Sequence, residues 1–171
     1  MKLRNQSQGF TILEIIAVLV IIAIIAVVAL ARVSSNENNL IGAADTLKSH
    51  LRLAQARSMN SSTDTGIVWG INITSATQYY LFYCTNAAAC DPNNAAHQVP
   101  FPGAGNVVMD LTSQGVKIVN GVGLLAFNRF GTPYINAALT TLMAKPLSIT
   151  LQDNQNRTIT ITVTPQTGMI I

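Results

Sequence analysis

Residues 15–31 are drawn only from Ile, Ala, Val and Leu, 17 positions without a polar side chain. As a helix, residues 10–31 would extend about 33 Å, close to the hydrocarbon thickness of a bilayer. Such a segment must be covered by lipid, by a core or by copies of itself. Charged residues make up only 10% of the chain and apolar ones 49%, against a usual charged share of about a quarter. The apolar excess sits in this run. The remainder is rich in Asn, Thr, Ser and Gln, which suits a domain outside the cytoplasm, and 171 residues leave room for one such domain.

Charge excludes little else. The formal net charge is +3, but Lys2 and Arg4 precede the apolar run, and without residues 1–9 eight basic side chains face seven acidic ones. Arg52, Arg57, Lys117, Arg129 and Arg157 are scattered singly, not clustered as a nucleic-acid-binding face requires.

Three arrangements fit the N-terminus. One is a secretory signal with Ala29-Leu30-Ala31 as its cleavage site. Another is a plain membrane anchor. The third is a prepilin-type segment. Glu14 separates them, because a carboxylate within a membrane helix costs on the order of 2.5–3.5 kcal/mol near the centre, and less near an interface. Gly9-Phe10 offers a small residue before a scissile bond and a bulky apolar residue after it. Cleavage there creates an α-amino group four residues from Glu14, and the amino group of a neighbouring copy can neutralise that acid.

Gly9-Phe10-Thr11-Ile12-Leu13-Glu14 and the apolar run resemble the class III signal of type IV pilins and type II secretion pseudopilins. The common form is G-F-T-L-I-E, so Leu and Ile are exchanged here. The resemblance implies cleavage between Gly9 and Phe10 by a prepilin peptidase, N-methylation of Phe10, and Glu14 as the residue guiding assembly. Implied partners are the peptidase/methylase, other pilin or pseudopilin subunits and the inner membrane. Lys2 and Arg4 keep the leader cytoplasmic and place the bulk of the chain outside, a single-pass protein with a periplasmic C-terminal domain.

Beyond Arg32 the helical pattern continues, with Leu40, Ala44, Leu47, Leu51 and Ala54 on one face. The expected organisation is a cleaved leader (1–9), a transmembrane or filament-core helix (10–31), its continuation (32–60) and a β domain (61–171). Within the last, Ile67, Trp69, Ile71 and Ile73, then Tyr79, Leu81 and Tyr83, recur with period two. Residues 107–111, 115–119 and 124–128 are shorter candidates. Residues 158–164, alternately β-branched and apolar, pair with 147–151 across Asp153-Asn154-Gln155-Asn156. Residues 169–171 would add a last short strand. The fold class expected is α+β, a long helix packed on seven or eight strands in two antiparallel sheets.

Residues 51–58, the Phe127-Asn128-Arg129-Phe130-Gly131-Thr132-Pro133 turn and the closing Thr167-Gly168-Met169-Ile170 resemble the GspH/FimT-type subfamily. That subfamily often carries arginine where Met169 stands, and nucleic acid is not an expected partner. The function implied is a minor pilin or pseudopilin of a type II secretion pseudopilus. The alternative is a minor pilin of a type IV pilus.

Cys84 and Cys90 enclose five residues. Outside the cytoplasm they would form a local disulfide, the alternative being two free thiols. With no His nearby in sequence they fall short of a zinc site, so no metal is expected. His50 and His97 lie on different expected elements. Asp64, Asp91, Asp110 and Asp153 fall at turns or strand ends. Gly103, Gly105, Gly121 and Gly123 read as turn glycines, and no catalytic motif or cofactor loop is present. Catalysis and cofactors are not expected.

Overall fold

The computed structural model describes residues 11–61, 66–103 and 105–171, with side chains throughout except at residues 29–36. Two compact units are present, Met1–Ser35 and Asn36–Ile171, and their boundary falls within the helix α1 (Ile12–Asn60). Strands follow in the order β1 (Val68–Ile73), β2 (Gln78–Cys84), β3 (Gln98–Val99), β4 (Val108–Asp110), β5 (Val116–Asn120), β6 (Gly123–Phe127), β7 (Pro133–Tyr134), β8 (Leu147–Asp153) and β9 (Thr158–Val163). The architecture is α+β, with nine strands among the described residues instead of seven or eight. The two additional strands, β3 and β7, have two residues each and are too short to show a period.

Every pairing among the described residues is antiparallel. One sheet runs β3-β2-β1-β6-β7 with β4 also on β2, and the other runs β5-β8-β9. The hairpin expected across residues 153–156 is present, with Leu151 opposite Ile159 and Leu147 opposite Val163. Residues 169–171 form no strand of their own, since only Ile170 bridges to Val163.

In the second unit, α1 contributes Leu40, Ala43, Ala44, Leu47, Leu51 and Ala54 to the core. These positions line one face at helical spacing. Ile71, Ile73, Tyr79, Leu81, Leu125 and Phe127 meet them from the first sheet, and Val116, Ile118, Ile149, Leu151, Ile161 and Val163 from the second. The far side of the first sheet is also buried, with Val68, Tyr80, Phe82, Cys84, Ala126 and Ala137 in a second cluster. Gly70 permits this packing. A Cβ there would stand 2.5 Å from both the Leu125 carbonyl oxygen and the Phe82 ring.

Polar side chains of α1 tie it to the turns of the domain. Arg52 Nη2 donates to the Ile170 carbonyl at 3.0 Å, and Gln55 Nε2 to those of Gly131 and Thr167, each at 3.0 Å. The fully buried Ser58 donates its hydroxyl to the Phe127 carbonyl at 2.6 Å. Residues 52–58 of α1, the 127–131 turn and the closing 167–170 segment therefore meet at one clasp. At the β8–β9 turn, the buried Asp153 accepts from the backbone N–H groups of Gln155 and Arg157 and from Arg157 Nε at 2.7 Å. Arg157 reaches on to Glu37 at 2.9 Å.

Among the described residues no helix is long and apolar enough to cross a membrane. The expected membrane-spanning first half of α1 is therefore not borne out by the structure. The described apolar side chains of that segment end at Val28, whereas the apolar sequence continues to Ala31.

Candidate functional site

The start of α1 is set by Thr11. Its Oγ1 accepts the Glu14 N–H at 3.3 Å, and its carbonyl accepts the N–H groups of Glu14 and Ile15 at 3.1 and 3.2 Å. Thr11 is thus the N-cap, and Thr11-Ile12-Leu13-Glu14 has the Thr-x-x-Glu spacing of a capping box. Glu14 lies in the first turn, where the positive end of the helix dipole favours a carboxylate. This qualifies the sequence argument, since an acid at this position already has a local use in starting the helix. Gly9 and Phe10 lie outside the described residues.

From Ile15 to Val28 the helix is apolar on all sides. Thirteen Ile, Leu and Val side chains between Ile12 and Val28 are each 50–80% exposed. A helix that is hydrophobic all round belongs in a core or a membrane, and covering each such side chain gains about 1.5–3 kcal/mol. The surface is built for continuous apolar contact, with one carboxylate at its N-terminal end.

The remaining candidates are dispersed. His50 stacks on Phe101 with ring centroids 3.8 Å apart, and its Nδ1 lies 3.0 Å from the Tyr79 hydroxyl. Burial lowers the His50 pKa to about 4 and raises that of Tyr79. Asp64 lies outside the described residues. Asp91, Asp110 and Asp153 each accept a backbone N–H two residues ahead, the ordinary work of Asp in turns. Hydrogen bonds from Thr112 and Gln78 hold the Asp110 carboxyl below its usual range. For Asp153, burial alone would raise the pKa. Bonds from Arg157 and Gln155 and the Arg157 charge outweigh burial and lower it.

Cys84 and Cys90 are joined by a disulfide, with Cα atoms 5.7 Å apart. The expectation that no His lies near them is corrected. A ring nitrogen of His97 lies within 4.8 Å of both disulfide sulfurs. The chain turns back through residues 91–97, which linear spacing alone does not show. Sequence reasoning also missed a stacked trio in which Arg57 sits 4.8 Å over Trp69 and Trp69 lies 4.5 Å from Tyr83. The only available signal was that Trp69 and Tyr83 occupy the same face of adjacent strands.

Comparison with known proteins finds a family match at the N-terminal end of the chain. Residues 4–30 fit the prokaryotic N-terminal methylation motif, which is typical of type IV pilin-like proteins, and the match includes Gly9, Phe10 and Glu14. No curated protein and no solved structure matches the chain.

Proposed function

We propose that this chain is a pilin-like structural subunit, cut between Gly9 and Phe10, methylated at Phe10 and built into a filament through residues 10–31. The observation that carries this is the uncovered apolar surface from Ile12 to Val28, within a segment that fits the methylation motif. Copies packed side by side bury that surface. The Glu14 carboxylate of one copy is then neutralised by the new amino terminus of another, which offsets the cost of placing an acid among apolar side chains. Before assembly the same residues hold the chain in the inner membrane, with the unit Asn36–Ile171 on the periplasmic side. The role is structural and not catalytic. The system we favour is a type II secretion pseudopilus, in which this chain is a minor subunit.

Mass spectrometry of the mature protein tests the reading. The expected N-terminus is N-methylated Phe10. A mature chain beginning after Ala31, or retaining Met1, removes the charge pair and the proposal with it. Deleting the chain should stop export of folded proteins if the pseudopilus assignment holds. Intact export with loss of surface pili would move it to a type IV pilus.

A further inference from the structure

We infer that the groove between the end of α1 and the β1–β2 pair, lined by Arg57, Asn60, Ser61, Trp69 and Tyr83, binds a uronate, a sugar whose ring carries a carboxylate, as one residue of an acidic polysaccharide. This inference does not rest on the pilin-like reading, and it gives the domain a binding role beside the structural one.

The groove is built before any ligand arrives. Trp69 and Tyr83 stand directly opposite each other on β1 and β2, so their side chains leave the same face of the sheet. Their ring centroids lie 4.5 Å apart. Arg57, in the last turn of α1, lays its guanidinium 4.8 Å over the Trp69 ring. The neighbouring Ser58 is bonded to the Phe127 carbonyl of β6, and Ser61 donates its hydroxyl to the Ser58 carbonyl at 2.6 Å. The helix end is therefore pinned to the sheet. The groove holds about 300 Å³, room for one sugar ring and at the small end of the range for ligand sites.

Arg57 carries the specificity. Both ion pairs among the described residues belong to Arg157, and no acidic side chain lines the groove. The helix dipole favours a cation in the last turn, but it does not account for two aromatic rings beneath that cation. Stacking occupies a face of the guanidinium and leaves its N–H donors in the plane, where a carboxylate accepts a pair of them side by side. Asn60 adds an amide and Tyr83 a hydroxyl, and the Ser61 oxygen can still accept, which together suit the hydroxyls of a sugar. The positive C–H edges of the sugar ring find the negative aromatic surface beside them.

Other occupants fit less well. A neutral sugar leaves the Arg57 donors without an anion. An apolar peptide would bury that charge unpaired. A nucleic-acid strand calls for several cations along its backbone, and the groove has one.

Trp69 is the single tryptophan of the chain, so its fluorescence reports on the groove directly. The full chain in non-ionic detergent is titrated with tetragalacturonate, with its methyl ester and with oligothymidylate. The acid should give a saturable change in emission. The ester keeps the ring and loses the charge, and it should bind at least about tenfold more weakly. Arg57→Lys keeps the charge and loses the fork, and should also weaken binding about tenfold. Asn60→Ala, at an exposed position, should weaken it at least about twofold. Far-ultraviolet circular dichroism should be unchanged in both variants. No saturable change with the acid, equal affinity for acid and ester, wild-type affinity in Arg57→Lys, or tighter binding of oligothymidylate would each overturn the inference.

Discussion

Glu14 has two uses that one substitution can separate. As the third residue after the Thr11 cap it suits the helix start, and as a charge it can meet an amino terminus. Glutamine serves the first use but not the second. Glu14→Gln should therefore be cleaved and helical yet absent from filaments, as scored by sedimentation of sheared filaments. Wild-type incorporation would show that the charge is dispensable. A second residue-scale prediction concerns His50, whose folded pKa of about 4 lies below its ordinary 6.5. Between those values the unfolded chain binds the proton that the folded chain refuses, so stability is complete above pH 6.5 and is lost as pH falls toward 4. Because the ring is only half-buried, the loss is about 1–2 kcal/mol, less than the unscreened linkage would give. Urea midpoints across this window should slope less in His50→Gln than in the wild type, and parallel profiles would refute the assignment. The contribution of Asp153, whose pKa is lowered, is instead lost only as pH falls through the carboxylate range beneath that window.

Among the elements, what sequence revealed was what carries a period. The stripe from Leu40 to Ala54 and the alternation in β9 each announce a face, and both faces are core. The β8–β9 hairpin was legible because Asp153 and its neighbours are turn formers. What stayed hidden depends on contacts distant in sequence. Strand β2 shows alternating Tyr79, Leu81 and Tyr83, yet Tyr80 and Phe82 are buried as well, in a second cluster with Ala87 and Ala137 from outside the strands. Nor does any local pattern show that Gln55 joins the Gly131 and Thr167 carbonyls, or that His97 returns to the cysteines. The hidden packing makes its own prediction. Gly70→Ala drives a methyl into the Phe82 ring and a backbone carbonyl, so it should cost about 1–3 kcal/mol or more of stability by denaturant titration. A change within experimental error would mean that the first sheet is less tightly packed than described. Ser58→Ala leaves the buried Phe127 carbonyl without this donor and should cost a similar amount, about 1–3 kcal/mol.

For the whole molecule, the two units obey opposite rules. In Asn36–Ile171 the helical core residues begin at Leu40, and the other members of the main cluster come from the strands and from Phe101, Leu111, Met143 and Ile170 in the connecting and closing segments, all within the same unit. The ion pair from Arg157 to Glu37 also lies inside it. Among the described residues every member of that core lies at Leu40 or beyond, and we expect a chain starting at Asn36 to lose the apolar surface without losing its fold. The first unit presents the reverse case, a helix whose Ile, Leu and Val side chains are exposed from Ile12 to Val28 and whose burial must come from lipid or from other copies. We therefore expect residues 36–171, expressed with export to an oxidising compartment, to be soluble without detergent and monomeric by light scattering. Their unfolding should be cooperative, and they should be unable to enter filaments beside full-length chains. Aggregation, or a non-cooperative melt, would show that the domain relies on the N-terminal segment. Incorporation into filaments would show that assembly runs through the domain's own surface and not through the apolar helix.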